Sequence, residues 1–122
     1  MNKEHTQYLL DNFPSLYRGY YKPFRETSMC WGFECGDGWF GLVRDLSARL
    51  EPCGVFAVQV KEKYGSLRFY TEPVPVEVAD EVDRLIDEAE AKSEVICELC
   101  GEPGKLNDGG WLKVRCEKCW EE

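Results

Sequence analysis

Four cysteines in the last quarter of the chain have the residue type and the spacing that bind a metal ion. They form two C-x-x-C pairs, Cys97 with Cys100 and Cys116 with Cys119, and fifteen residues separate the pairs. A C-x-x-C turn lets two thiolates converge on one ion about 2.3 Å from each sulfur, and two such turns complete a tetrahedron. The spacing is typical of a four-cysteine zinc ribbon. It predicts a structural zinc site, because four sulfur ligands leave no open position for water or substrate.

The four cysteine ligands do not identify the metal, since tetrahedral sulfur coordination suits both zinc and iron. Zinc is the default expectation, and an iron–sulfur or rubredoxin-like iron site is the alternative. Disulfides are disfavoured, because the N-terminal residues Met1–Gln7 lack the apolar stretch of an export signal. No apolar run approaches the roughly 20 residues that span a bilayer. The sequence therefore predicts a cytoplasmic protein with reduced thiols, in which Cys30, Cys35 and Cys53 fill packing positions.

The segment between the two cysteine pairs is predicted to be a hairpin that carries one pair to the other. Gly101 directly follows the first pair, and a positive φ there would turn backbone N–H groups toward the sulfurs. Asp108–Gly110 is a turn signal, and Trp111–Arg115 alternates like a short strand that leads into Cys116.

Upstream of this ribbon, the spacing of apolar residues predicts three helices and one β-hairpin. The helices are expected at about residues 3–13, 37–51 and 76–93, and the hairpin at residues 55–71. In the hairpin, Phe56, Val58 and Val60 are expected to share one face, opposite Leu67 and Phe69 of the second strand.

The predicted fold class is α+β: a small helical and β-hairpin domain with a C-terminal four-cysteine zinc ribbon. At 122 residues and 43% hydrophobic content, the chain can bury a core of its own. The expected parts are an α+β core at residues 1–75, an acidic helix at residues 76–94 and the ribbon at residues 95–122.

The net charge of −8 is concentrated in one segment. The segment from Glu72 to Glu102 contains eleven acidic and two basic residues, a local charge of −9. The rest of the chain therefore has a net charge of +1. The carboxylates assigned to a partner-binding face of the third helix are Glu77, Asp80, Glu81, Asp83, Asp87 and Glu88. Such a surface repels phosphate and favours a basic protein partner, although a solvated helix face would have the same composition.

A nucleic-acid-binding zinc-ribbon protein, or one that modulates transcription, is the second interpretation. The segment Tyr17–Arg25 interleaves aromatic and basic residues, and the ribbon strand presents a smaller mixed face. The candidate contacts are Arg18, Lys22, Arg25, Trp111, Lys113 and Arg115. Padding of the core by the aromatic rings is the simpler explanation of Tyr17–Arg25, because the overall charge opposes binding to phosphate.

Catalysis finds little support in the residue types. His5 is the sole histidine, and neither a P-loop nor a dinucleotide-binding glycine motif is present. A third interpretation is a small metal-dependent nuclease that uses Glu34, Asp37 and Glu62 with Lys63. For Asp37, the cap of the second helix is the preferred role.

Three strings together resemble a family of small phage and prophage proteins. They are Glu34–Trp39, Val60–Tyr70, and Ile96–Gly101 with Gly109–Leu112. The resemblance covers roughly residues 30–120. It implies a phage context and a zinc-ribbon end, and it supplies no catalytic residue.

The phage context and the acidic helix together suggest a non-catalytic interaction protein. Phages use small proteins to bind host machinery, including defence nucleases with basic channels. The leading hypothesis is therefore a zinc-binding protein that modulates or inhibits a host complex, for example as an anti-CRISPR inhibitor whose carboxylates take the places of phosphates.

Overall fold

Four α-helices and five strands form in the part of the chain that the structure, a computed structural model, describes: residues 1–22, 27–107 and 112–120. The helices are α1 (Lys3–Asn12), α2 (Phe40–Leu50), α3 (Val76–Ser93) and α4 (Glu117–Trp120). The strands are β1 (Phe33–Glu34), β2 (Ala57–Lys63), β3 (Ser66–Thr71), β4 (Lys105–Asn107) and β5 (Lys113–Arg115). This mixture confirms the α+β class. No helix in these ranges combines the length and apolarity that crossing a membrane requires.

A three-stranded sheet of order β1-β2-β3 is built on the predicted hairpin. Strand β1 pairs with β2 in parallel, and β2 pairs with β3 antiparallel. The connecting turn is Tyr64–Gly65, with φ of 55° and 79°. Two successive positive φ values match a type I′ turn, whose twist fits that of the flanking strands. The turn is shorter than predicted, so β2 continues to Lys63.

A bulge in β2 changes which hairpin residues face the core. The register between β2 and β3 shifts between Ala57 and Gln59. An extra residue in one strand reverses the alternation of side chains beyond it. Ala57 and Val60 are consequently fully buried, whereas Phe56 and Val58 are only partly buried. The predicted common face of Phe56, Val58 and Val60 is therefore wrong.

Helix α3 has the predicted bounds and covers the open edge of β3. Ser93 Oγ accepts the Leu67 N–H at 2.8 Å, and a Glu90 carboxylate oxygen accepts the Phe69 N–H at 3.1 Å. An edge strand otherwise presents unpaired backbone groups that invite another chain to pair with it. The buried stripe of α3 consists of Val82, Leu85, Ala89 and Ser93.

The start of the aromatic segment that follows α1 belongs to the core. Tyr17 is fully buried and its hydroxyl lies 2.5 Å from Ser47 Oγ, so the polar end of the ring is satisfied. Burial holds the pKa of Tyr17 far above its ordinary value. The Tyr17 ring meets Phe33 edge-on, with the ring centroids 4.8 Å apart. At Tyr17, core packing accounts for the aromatic residue.

Asp37 does not cap α2, contrary to the prediction. Residues Asp37–Trp39 form a turn of 3₁₀ helix, and α2 begins only at Phe40, with no side-chain cap. The Asp37 carboxylate instead accepts the Asn2 N–H at 2.6 Å and lies 3.0 Å from His5 Nδ1. Its role is to tie the start of α1 to the loop before α2.

Candidate metal centre

The four predicted cysteine ligands lie together. Their sulfur atoms are all within 4.8 Å of one another, and Cys100 Sγ and Cys116 Sγ are 3.6 Å apart. Zinc bound at about 2.3 Å to four sulfurs would place neighbouring sulfurs about 3.8 Å apart. The distance is too long for a disulfide, whose sulfurs are about 2.05 Å apart. The cluster can hold a metal ion, and its dimensions are compatible with zinc.

The first cysteine pair sits on a tight backbone turn. The Cys97 N–H donates to the Glu102 carbonyl oxygen at 2.7 Å, and the Gly101 N–H donates to the Cys97 carbonyl oxygen at 2.9 Å. Gly101 has a φ of +85°, as predicted. A side chain there would be strained, since only glycine adopts this backbone region freely. The turn therefore holds Cys97 and Cys100 on the same side.

The second pair is delivered by the short β4–β5 ribbon and by α4. Strand β5 ends at Arg115, directly before Cys116, and the Cys119 N–H donates to the Cys116 carbonyl oxygen at 3.1 Å. The Glu98 N–H donates to the Val114 carbonyl oxygen at 3.0 Å, which joins the first turn to β5. The two turns thus face each other. The predicted hairpin turn at residues 108–110 lies outside the described residues.

The sulfur cluster favours the arrival of a cation. Burial alone would raise the pKa of the Cys97 thiol, but backbone N–H groups of Cys116, Cys100 and Leu99 that donate to its sulfur lower that pKa to about 6. The pKa of Cys119 is raised, first by the hydrogen bond with the Cys116 sulfur. Neighbouring thiolates repel one another, and a divalent cation removes that penalty because it binds the deprotonated sulfurs.

The loop before α2 hydrogen-bonds with the turn that carries Cys97 and Cys100. The Gly38 N–H donates to the Glu98 carbonyl oxygen at 2.7 Å, and the Gly36 N–H donates to the Glu98 carboxylate at 2.8 Å. A Cβ atom at Gly38 would overlap the carbonyl oxygen of Cys97. Trp39 is fully buried, and its indole N–H donates to the Ile96 carbonyl oxygen at 2.9 Å. The cysteine cluster is therefore packed into the fold.

Sequence reasoning missed this contact. The residues Glu34–Trp39 were distinctive as a string, but nothing local links them to a cysteine turn about sixty residues later in the chain. Two glycines at alternate positions, Gly36 and Gly38, were the available signal that another backbone approaches closely.

A partly buried ion pair joins the ribbon to the hairpin. Lys113 Nζ lies 2.6 Å from Glu62 Oε1, with exposed fractions of 19% and 13% for the two side chains. The other Glu62 oxygen accepts the Gly65 N–H at 2.8 Å. The sequence offers Glu62 as a candidate nuclease residue and Lys113 as a candidate nucleic-acid contact. The structure pairs them with each other.

The remaining nuclease candidates are not brought together. A Glu34 carboxylate oxygen lies 3.4 Å from Gln59 Nε2, and Asp37 is bound to the start of α1. Across the described ranges, the four cysteines are the only group of three or more His, Cys, Asp or Glu side chains placed to hold a metal. Glu34, Asp37 and Glu62 therefore form no candidate metal site.

The nucleic-acid candidates are dispersed. The Arg18 guanidinium donates to the Ser15 carbonyl oxygen at 2.6 Å and lies 4.3 Å from the centre of the Phe56 ring. Lys22 is exposed, and the Arg115 guanidinium lies 5.3 Å from the Trp120 ring. Arg25 and Trp111 lie outside the described residues.

The six carboxylates assigned to the third helix are all exposed. Glu81 and Glu88 pair with Arg84 at 2.7 and 2.9 Å. The other four, Glu77, Asp80, Asp83 and Asp87, make no hydrogen bond or ion pair with any residue in the described ranges.

The three other cysteines lie apart from the metal centre. Cys35 is buried, and burial raises the pKa of its thiol to about 12. Cys30 and Cys53 are half-buried free thiols.

Comparison of the chain with known protein families, with curated proteins and with solved structures finds no match.

Proposed function

We propose that this chain is a zinc-stabilised binding protein without a catalytic role, and that α3 binds a basic surface of a protein partner. The observation that carries the proposal is the unpaired row of carboxylates on α3. Zinc would serve as a structural ion, held by Cys97, Cys100, Cys116 and Cys119.

The geometry of the row supports recognition of a basic surface. Glu77, Asp80, Asp83 and Asp87 follow one another at intervals of three, three and four residues, which places them on one side of the helix. Neighbours at this spacing are about 5–6 Å apart, so the row presents closely spaced negative charge. Arg84 neutralises the adjacent row through Glu81 and Glu88 and leaves this one available.

In its most specific form, the proposal is a phage-encoded inhibitor that acts in the host cytoplasm on a nucleic-acid-handling complex. A channel that binds nucleic acid is basic, and carboxylates can occupy the places of phosphates in it. Complementary charge would also speed association by steering the two proteins together. An anti-CRISPR inhibitor is one example of this class.

A pull-down from nuclease-treated bacterial lysate tests the binding face. The immobilised chain is compared with the variant D80N/D83N/D87N and with the matched control E4Q/D11N/E72Q. Both variants remove three negative charges from exposed side chains. We expect the α3 variant to lose capture of a basic partner by about tenfold or more, because close charge pairs at an interface are coupled by over 1 kcal/mol, and the control to retain it.

Equal capture by the two variants, or loss in both, would show that α3 is not the binding face. Metal analysis of the same purified samples tests the ion separately. One zinc per chain supports the structural role, whereas iron or the absence of any metal contradicts it.

A further inference from the structure

We propose a second binding surface, for single-stranded nucleic acid, on the outward face of the β2–β3 hairpin. The surface comprises Lys61, Lys63 and Arg68, with Tyr64 and Tyr70 at its two ends. It shares no residue with α3 and none with the metal centre.

The register of the hairpin places these cations together. Val60 and Phe69 are opposite each other and buried in the core, so their neighbours Lys61 and Arg68, also a cross-strand pair, point to the other face. Lys63 and Ser66 form the next pair on that face. Like charges directly opposite each other destabilise a sheet. A bound anion would offset the repulsion between Lys61 and Arg68.

Arg68 carries an unsatisfied donor. Its Nε is buried and has no hydrogen-bond partner. Arg68 forms no ion pair with any described residue, and the same holds for Lys61 and Lys63. Of the carboxylates that flank the surface, Glu34 hydrogen-bonds with Gln59, and Glu90 accepts the Phe69 N–H. Burial raises the pKa of Glu90, and the Arg68 guanidinium lies close enough to oppose that rise. Buried polar groups without a partner are rare. Arg68 as a whole is only partly buried, and an arginine guanidinium binds phosphate through charge-assisted hydrogen bonds.

Exposed aromatic rings lie at both ends of the cationic row. The exposed fractions of Tyr64 and Tyr70 are 66% and 41%. Lys63 Nζ lies 5.4 Å from the centre of the Tyr64 ring, which places a cation beside that ring. Strand rise puts Tyr70 about 7 Å from Arg68 on the same face. The cations thus lie between two exposed aromatic rings. Surfaces that bind single strands have the same composition, because the rings stack on bases and the cations contact the phosphate backbone.

A single strand suits this surface better than the alternatives. Rings can stack on bases only where the bases are unpaired, so a duplex would leave Tyr64 and Tyr70 unused. An acidic peptide would satisfy the cations but would not require rings. The net charge of −8 does not forbid binding, since charges more than about 8 Å apart are largely screened at physiological ionic strength.

Fluorescence anisotropy with a labelled 12-nucleotide oligo(dT) at 50 and 200 mM salt tests the proposal with full-length, metal-loaded protein. The variants are K61Q/R68Q and Y70L, and the matched control is K3Q/K105Q, which removes the same charge from exposed lysines elsewhere. We expect K61Q/R68Q and Y70L each to weaken binding about tenfold or more. The slope of log affinity against log salt should also fall by about 1.4 in K61Q/R68Q, the contribution of two phosphate contacts.

Thermal unfolding of every variant verifies that the fold is intact. K61Q/R68Q should be about as stable as the parent, because the loss of a like-charge pair offsets the loss of the attraction between Arg68 and Glu90. The proposal is overturned if the parent does not bind the oligonucleotide at 50 mM salt, or if the control loses as much affinity as K61Q/R68Q. It is also overturned if a glutamate peptide of equal charge binds as tightly as the oligonucleotide and is unaffected by Y70L.

Discussion

At Gly36 and Gly38 the absence of a side chain makes room for the turn that carries Cys97 and Cys100. Both backbone N–H groups donate to Glu98, one to its carboxylate and one to its carbonyl oxygen. Glu98 is only 7% exposed, so loss of these donors would leave buried acceptors unsatisfied. The close approach is possible because each glycine has a hydrogen atom at the position where any other residue has a Cβ.

Gly38→Ala should destabilise the protein by about 1–3 kcal/mol, because the new methyl group must displace the Cys97 and Glu98 backbone. Thermal and urea unfolding in excess zinc measure the change. Gly41→Ala is the matched control. Gly41 lies inside α2, where the nearest atom to a new Cβ is Arg44 Nη2 at 3.8 Å, and alanine should stabilise the helix by up to about 1 kcal/mol. Equal effects of the two substitutions would contradict the close approach at Gly38.

Asp37 supplies a pH-dependent contribution of modest size. Partial burial alone would raise the pKa of Asp37, but hydrogen bonds from the Asn2 N–H and from His5 hold it below the ordinary value. A carboxyl group with a lowered pKa stabilises the fold above the pKa of the unfolded chain. That contribution disappears as the pH falls through the lower, folded-state pKa.

Asp37→Asn should therefore lower the free energy of unfolding by up to about 1 kcal/mol at pH 7 and leave it unchanged at low pH. The effect is this small because the Asp37 side chain is 41% exposed to solvent. Urea unfolding of both proteins between pH 2.5 and 7 measures the difference. A difference that stays constant across this range would exclude the ionised carboxylate as its cause.

Among the elements, the cysteine turns and the hairpin depend on distant segments. Strand β3 is completed on its outer edge by Ser93 and Glu90 of α3. The turn that follows α3 is held by Gly36–Trp39 and by β5. Elements that share their hydrogen bonds in this way are expected to unfold together.

Metal removal should therefore disturb more than the ribbon. Structural zinc contributes apparent free energies of roughly 10–16 kcal/mol in peptides, as large as the whole stability of an ordinary domain. Chelation, or Cys97→Ser, should abolish the resolved NMR signal of the Trp39 indole N–H, which donates to Ile96. If that signal persists in metal-free protein, the ribbon is an independent unit.

In the whole molecule, charge is distributed unevenly over the surface. The carboxylates of α3 form one region, and the cations on the outward face of the hairpin form another. The Glu62–Lys113 pair lies between the hairpin and the ribbon and joins parts that are about fifty residues apart in sequence.

A double-mutant cycle of Glu62→Gln and Lys113→Met should give a coupling energy of about 1–3 kcal/mol, because the pair is mostly shielded from water. Urea unfolding of the four proteins provides the values. The exposed pair Arg44–Asp45 is the control, with an expected coupling below about 1 kcal/mol. A coupling energy near zero for Glu62 and Lys113 would show that they do not hold the ribbon to the hairpin.

Local patterns of residues were enough to predict several features of this protein. The cysteine spacing predicted which four sulfurs cluster, the 3.6-residue period predicted α3 to its terminal residues, and Gly101 predicted the positive φ. Which distant residues meet is visible only in the folded chain. There, Glu98 accepts hydrogen bonds from Gly36 and Gly38, and Glu62 pairs with Lys113. Asp37 hydrogen-bonds with the start of α1 and does not cap α2. Such contacts depend on the path of the whole backbone, because a carboxylate has the same local chemistry wherever the fold brings it.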